Sequence, residues 1–413
     1  MEVLSPVGSY ASLYAAFQAS ADAIYFGLGT LNMRAAAAVN FTISDLPEIV
    51  QQCHKRGIKA YLALNTVVFD SEQAEINDIL TAAAQHKVDA IIASDIAVIL
   101  AARRNGLTVH LSTQCNITNI EAVRFYAQYA DVIVLARELS LEQIANITHT
   151  ITTENICSPS GTPVRVEIFA HGAFCMATSG KCYLSLDNFA KSANRGSCLQ
   201  LCRRPYILTE KESDVQIEVD REYLMSAKDL KTIDFLDKIA AAGVSVLKIE
   251  GRGRSADYVK TVTRVYKEAV QALSDGTYGK KRCEVWNASL ATVYNRGFWT
   301  GYYLGKNIGE WTEQYGSKAT TRKTYIGKIT NYFSHLKVAE VKIEAGVLRK
   351  GDKYIVTGNT TGVYEDILQE VRLNLKPVNE VRQGDICSIP TKELLRRGDK
   401  LYSVSEANSP FVK

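Results

Sequence analysis

The feature that most limits what this chain can fold into is a rhythm. Across roughly its first 250 residues, short apolar or β-branched runs alternate with longer helical patterns. Val3 to Ser5, Ala23 to Phe26, Lys59 to Leu64, Ala90 to Ala93, Thr108 to Leu111, Val132 to Leu135, Val166 to Phe169 and Val246 to Ile249 read as strands. Helical spacing lies between them, as in Tyr10 to Ser20, Leu46 to Arg56 and Glu121 to Tyr129, and Ser140-Leu-Glu-Gln143 has the spacing of a capping box. Eight strands with helical crossovers predict an α/β fold, a (β/α)8 TIM-like barrel, although an open doubly wound sheet has a similar rhythm. The strand ends favour closure. Asn65, Ser94-Asp95, Ser112-Thr113-Gln114, Arg137-Glu138, His171 and Glu250-Gly-Arg252 would converge on one face of a barrel, where active sites sit, but would lie along a line in an open sheet.

Two departures from the rhythm set the domain organisation. After the seventh strand, about 55 residues precede a helical pattern beginning near Lys228, too long for a structureless loop in a compact domain. This insertion, about 172–227, therefore needs its own source of order. The segment Trp286 to Trp311 is rich in aromatics and glycine and is expected to pack as core beneath the barrel. After a linker at Ser317 to Lys323, alternating runs at Ile326 to Ile329, Lys337 to Ile343, Lys353 to Thr357, Leu368 to Leu373 and Leu401 to Val404 are separated by Gly-Asp and Gly-Asn turns. They predict a small carboxy-terminal antiparallel β-barrel over 321–413, behind a TIM-like domain over 1–320. Such a unit suits RNA binding or bracing between domains equally.

The insertion holds Cys175, Cys182, Cys198 and Cys202, four of the nine cysteines. The amino terminus has no basic region followed by an apolar tract and no run is long enough to cross a membrane, so a cytoplasmic protein with reduced thiols is expected. Clustered thiols in that setting are metal ligands, a reactive thiol or scattered core residues. The spacing lacks the paired Cys-x2-Cys knuckles of structural zinc and the tight run of bacterial ferredoxins, while four soft ligands limit a metal mainly to iron–sulfur or zinc. Cys53, Cys115, Cys157, Cys283 and Cys387 are spread out and read as core or near-core residues. A formal charge of +4 is slight, yet Lys181, Lys191, Arg195, Arg203 and Arg204 gather around the cysteines. They form either a footprint for phosphate or carboxylate or a solvated face.

Candidate chemistry at the strand ends is mixed. His171, four residues before Cys175, could pair with it as a nucleophile's base or bond to backbone, and His110 is expected to face the mouth. Alternation puts Lys248 and Glu250 on one side of their strand. With Arg137, Glu138, Arg252 and Arg254 they would either hold a small anionic substrate or form a supporting ion-pair network. The chain lacks His-Glu-x-x-His and Gly-x-Ser-x-Gly, which argues against familiar peptidase designs.

Longer motifs carry a resemblance: His110-Leu-Ser-Thr-Gln114 with Asn119, Arg137-Glu-Leu-Ser140, Glu167-Ile-Phe169, Gly172-Ala-Phe-Cys175, Gly180-Lys-Cys182, Leu184-Ser185, Ser192-Ala-Asn-Arg-Gly196, Ser226-Ala-Lys-Asp229 and Lys248-Ile-Glu-Gly-Arg252. On these the chain resembles peptidase family U32 over almost its whole length, with Phe174 where an aliphatic residue is usual. Some members are named collagenase-like proteases, and others are oxygen-independent hydroxylation proteins acting on transfer RNA, on ribosomal RNA cytidine or in quinone biosynthesis. The length and terminal barrel look most like the transfer-RNA branch, which implies 5-hydroxyuridine at the wobble position, tRNA as partner, prephenate as cosubstrate and an iron–sulfur cluster, 4Fe–4S. Cys175, Cys182 and Cys198 match the family's cluster residues. Many relatives carry a further cysteine where this chain has Lys231, so the fourth place falls to Cys202, a non-protein ligand or nothing.

On this reading Arg137 and Lys248 hold the anionic cosubstrate, and Glu138 and Glu250 move protons or pair with cations. His171 joins the catalytic set, His110, Gln114 and Arg252 line the substrate site, and Arg195 and Arg203 with Arg204 place the RNA backbone. An electron donor is a possible further partner. The competing expectations are a thiol or metal-dependent peptidase, a ribosomal RNA cytidine hydroxylase and a metal-stabilised RNA-binding protein.

Overall fold

The computed structural model describes residues 1–209, 211, 216–219, 225–305, 310–312 and 316–407. Parts of the expected cysteine insertion, of the aromatic segment and of the end of the carboxy-terminal unit lie outside these residues. The eight expected strands form at Glu2–Pro6, Ala23–Gly27, Lys59–Leu64, Ala90–Ala93, Val109–Leu111, Val132–Val134, Arg165–Gly172 and Val246–Ile249. Each runs parallel to the next, and the eighth pairs with both the seventh and the first. The sheet is therefore a closed barrel, which removes the open doubly wound alternative.

Alternation along the strands builds two cores. Leu4, Tyr25, Tyr61, Ala63, Ile92, Val132 and Val246 point inward and pack on one another. Their neighbours Val3, Ile24, Phe26, Leu62 and Ile91 point outward into the layer under the helices. The inward side also carries charge. At the amino-terminal strand ends Glu2 accepts hydrogen bonds from Tyr61 Oη (2.7 Å) and Arg165 (3.1 Å) and meets Lys59 at 3.3 Å. The helix Leu141–Thr153 starts at the expected capping box, with Gln143 N donating to Ser140 Oγ and Ser140 N donating to Gln143 Oε1.

The insertion begins as a lobe with a short helix at Leu184–Phe189 and tight turns at Ala193–Arg195 and Leu201–Arg203. No helix starts near Lys228. Instead Asp229–Lys231 is a strand antiparallel to the end of the seventh, with Leu230 opposite Gly172 and Lys231 opposite His171, and the helix begins only at Leu236. The cause is an open edge. The sixth strand stops pairing at Glu167, so later backbone groups of the seventh need partners, and Asp229–Lys231 supplies them.

The aromatic segment also lies elsewhere than expected. Phe298–Trp299 pairs with Asp229–Leu230, Trp299 packs edge-on against Phe174 at 4.9 Å, and Tyr303 Oη donates to Phe169 O at 2.8 Å. These contacts are at the carboxyl-terminal end of the seventh strand, so residues 298–303 support the mouth of the barrel rather than its floor. Beyond it, an antiparallel sheet runs in the order Gly362–Ile367, Lys353–Gly358, Lys400–Glu406, Thr321–Phe333, Val338–Ile343, Ile386–Pro390, Val371–Leu373 and Lys376–Val378, around a core including Ile326, Val341, Val356 and Leu401. It docks on the outer helices of the barrel, where Val363 N donates to Gln18 Oε1 (3.0 Å) and Lys260 Nζ donates to Val363 O (2.9 Å). Among the described residues no helix is long and apolar enough to cross a membrane.

Candidate functional site

At the carboxyl-terminal strand ends a cavity of about 320 Å³ opens, lined by residues of most barrel strands and of the cysteine lobe. Its roof is the loop at 28–42 joined to the lobe, with Ala36 N donating to Gly196 O at 3.2 Å. Gly196 has a φ of +79°, and a Cβ there would lie 2.3 Å from Asn32 O, so only glycine permits this approach. Asn32 in turn accepts from Arg252 Nη1 at 3.0 Å. Gly27 leaves the space for that pair, since a Cβ on it would sit 2.6 Å from Arg252 Nη1.

Charge in the cavity is strongly unbalanced. Among the described residues, seven cationic side chains line it against one carboxylate, Glu250. Glu250 is bridged to Arg34 at 2.7 Å; burial opposes its ionisation, but Arg34 and Arg137 outweigh that and hold the carboxyl at about 2. Lys248 pairs with fully buried Glu167 at 2.7 Å. Burial pushes Glu167 above the ordinary carboxyl range against the pull of Lys248, and its Oε2 has no partner. Arg254 and Arg296 share buried Asp229 at 3.9 Å and 3.5 Å.

The remaining three cations have no carboxylate at ion-pair distance among the described residues. Arg137 donates to Ala173 O at 3.0 Å, lies 3.7 Å over the Phe169 ring and leaves its buried Nε without a partner. Arg203 donates to Ser226 Oγ and to the carbonyls of Ala227 and Phe174, and burial lowers its pKa. Burial also brings Arg252 down to about 10. Cations left over in a concave, partly desolvated site attract an anion that can offer paired oxygens. Beside them Asn65 Nδ2 donates to Ser112 Oγ (3.2 Å) and Gln114 Oε1 (3.4 Å), a neutral polar patch on the same wall.

Cys175, Cys182, Cys198 and Cys202 all line this cavity as free thiols. Burial raises Cys202; Arg203 opposes this, and Cys175, Cys198 and Cys182 reinforce it, so each of those three lies within electrostatic reach of Cys202. Yet among the described residues no three His, Cys, Asp or Glu side chains gather closely enough to hold one metal ion. The donor set is all sulfur, and thiols that line one cavity with surplus positive charge suit iron–sulfur or zinc. Lys231 points elsewhere, pairing with Asp234 at 2.9 Å, and does not line the cavity.

A sequence model of peptidase family U32 matches residues 8–313. The chain belongs to peptidase family U32. A Porphyromonas gingivalis protein named collagenase is 52% identical over 401 residues, covering 97% of each chain. A tRNA hydroxylation protein of Bacillus subtilis is 32% identical over 381 residues, covering 89% of this chain and 87% of its own. A 23S rRNA 5-hydroxycytidine synthase of Escherichia coli is 35% identical over 274 residues, covering 66% of this chain and 40% of its own. The family contains enzymes named for both peptide and RNA chemistry.

In this U32 protein the mouth brings together Arg137, Lys248, Glu250, Arg252, Gln114, Arg203 and the four cysteines. It does not bring in four other residues expected there. His171 is buried outside the cavity among Tyr258, Tyr266 and Phe298, and burial lowers it to about 3, with Lys231 and Arg254 adding to the effect. His110 lies inside the barrel against Tyr61 at 4.5 Å, and burial lowers it to about 3 as well. Glu138 is exposed on a turn and does not line the cavity. Arg195 pairs with Glu72 and lies over Phe69, where it ties the lobe to the barrel. Arg34, and the pairing of Glu167 with Lys248, went unrecognised. Glu167 carried a signal, a lone acid at an inward position of an apolar strand, whereas Arg34 sits in a loop whose path only the fold reveals.

Proposed function

We propose that this protein hydroxylates a pyrimidine in RNA without dioxygen, forming 5-hydroxyuridine at the wobble position of tRNA. It would do so with a small anionic cosubstrate, prephenate, and a 4Fe–4S cluster. The observation that carries this reading is the meeting of four cysteines and seven cationic side chains on one cavity at the barrel mouth. The relatives named for tRNA hydroxylation and rRNA 5-hydroxycytidine synthesis support the reaction class.

Cys175, Cys182 and Cys198 would hold the cluster and Cys202 would complete it, while Lys231 is committed to Asp234. When bound, the cluster supplies the electron transfer that no side chain offers. Arg137 and Arg252 would grip the cosubstrate's carboxylates through charge-assisted hydrogen bonds. Glu250, ionised because of Arg34 and Arg137, orients Arg34 and is too acidic to act as a base that holds a proton near neutral pH. The Lys248–Glu167 pair is the better proton handler: Lys248 lines the cavity, and burial raises the affinity of Glu167 for the proton they share. Asn65, Ser112 and Gln114 would read the pyrimidine edge. A base displaced from a single-stranded loop reaches such a pocket at little unstacking cost.

A peptidase is the second reading, favoured by the collagenase-named relative. A thiol peptidase needs an imidazole beside the nucleophile. Against it, His171 and His110 do not line the cavity that holds the thiols. The deciding experiment is nucleoside mass spectrometry of RNA from a deletion strain complemented with wild type, Cys175→Ala or Cys202→Ala. Loss of one oxygen from wobble uridine in the deletion strain, restored by wild type alone, is expected. Unchanged tRNA with loss confined to ribosomal cytidine moves the assignment to the sibling activity, and no change in any nucleoside overturns it. Iron and sulfide analysis after anaerobic reconstitution reads the cluster separately; unaltered content in Cys202→Ala would remove that residue from the site.

A further inference from the structure

The cysteine lobe has two faces. Its inner face gives Cys175, Cys182, Cys198 and Cys202 to the cavity. Its outer face is apolar and unusually open: Tyr183 is 64% exposed, Phe189 50%, and Leu186 and Leu199 are exposed as well. The lobe is nonetheless built as one body. Leu199 N donates to Ser185 Oγ at 3.0 Å and Lys191 N donates to Ser185 O at 3.1 Å, which closes the segment 185–199 on buried Ser185.

The exposed residues follow a pattern. Tyr183 flanks the amino-terminal end of the helix Leu184–Phe189, and Leu186 and Phe189 lie on it, so steps of three residues place each side chain beside the next in a winding stripe that rises about 9 Å. Lys181, Lys191 and Arg204 are exposed beside this stripe, and none of them pairs with an acidic side chain among the described residues; Asp187 is the one exposed acid in the helix. Aromatic faces set among unpaired cations fit a strand whose bases offer π-faces and whose backbone offers phosphates. A collagen triple helix presents neither feature.

We propose that this outer face is a stacking platform for a single-stranded RNA loop. Tyr183 and Phe189 take base faces, and Lys181, Lys191 and Arg204 hold the adjoining phosphates. The inference rests on the RNA reading above and deepens it: because Tyr183 follows the cavity-lining Cys182, bases stacked outside would leave a neighbouring nucleotide at the mouth. It also replaces Arg195 and Arg203 as backbone contacts, since both are used inside the protein.

The test is fluorescence anisotropy of the full-length protein with a labelled uridine-rich single strand, the same RNA as a duplex, and a triple-helical Gly-Pro-hydroxyproline peptide. Tyr183→Ala with Phe189→Ala is expected to weaken single-strand binding about tenfold or more per ring, and Tyr183→Phe to restore its share. Lys181→Gln with Lys191→Gln is expected to weaken binding and flatten its salt dependence. Both rings are exposed, so the variants should keep the wild-type melting temperature. Unchanged affinity in the aromatic double variant overturns the platform, as does a loss seen with the peptide and not with RNA. Nucleoside mass spectrometry separates this from the chemistry: wild type that binds RNA through these rings but leaves every nucleoside unmodified refutes the hydroxylase and spares the platform.

Discussion

The two ends of the barrel interior treat charge in opposite ways. At the floor the charges are matched: Glu2 meets Arg165, Lys59 and the Tyr61 hydroxyl. At the mouth, among the described residues, seven cations face one lining carboxylate, and Arg137, Arg203 and Arg252 rest on carbonyls, amides and rings instead of acids. Matched charge repays its own desolvation and can serve the fold alone. Unmatched charge at a concave surface lowers stability until an anion arrives, so it is the mark of a site that is completed by a ligand.

Breaking matched pairs should give the largest effects. Lys248→Ala leaves Glu167 buried without its partner and is expected to cost about 3–5 kcal/mol in urea denaturation, whereas Lys248→Met with Glu167→Gln should recover much of that loss. A double variant no more stable than the single would show that the pair is not the source of the loss.

Acid titration probes groups that belong to neither end. Burial holds His110 and His171 near 3, below the ordinary value of about 6.5, so between those values the unfolded chain binds protons that the fold does not. Stability should therefore fall as pH drops from about 6.5 towards 3, by about 1.4 kcal/mol per pH unit for each ring. His171→Phe is expected to halve this slope, and denaturation midpoints measured from pH 7 to 4 will record it. Glu250, held near 2 by Arg34 and Arg137, adds a second loss that begins only below its unfolded value of about 4.3.

The mouth should respond to substitution differently. Arg252→Gln is expected to shift stability by no more than about 1 kcal/mol, because the side chain has no carboxylate partner to abandon among the described residues. It should, however, abolish the rise in melting temperature that prephenate or a simple dicarboxylate gives the wild type. Equal rises in both proteins would contradict an anion site at Arg252. The smallest effect belongs to Arg195→Ala, which breaks a rim pair with Glu72 and should cost about 0.5–1 kcal/mol with RNA affinity unchanged.

Much of the fold was legible in the chain because strand and helix periods are local. The eight runs, their order and the Ser140 capping box follow from neighbouring residues. Closure was an inference from polar strand ends, confirmed by the pairing of Val246–Ile249 with both Glu2–Leu4 and Glu167–His171. The helix expected near Lys228 failed because the partner of Asp229–Lys231, the open edge of the seventh strand, is more than fifty residues away. The site was half legible. Motif spacing named four cysteines, Arg137, Lys248, Glu250 and Arg252, but the same proximity to strand ends also suggested His171 and Glu138, and position in sequence does not say which way a side chain turns.

By itself, then, the sequence determined which segments are strands, which cysteines lie together and which family the motifs resemble, since each depends on residue type at short range. Only the tertiary structure decided the charge balance of the mouth, because the partners that cancel a charge, Arg34 for Glu250 and Glu167 for Lys248, come from segments distant in the chain. It alone turned the lobe's cysteines inward and its aromatic stripe outward, since that choice rests on what the barrel places beneath the lobe.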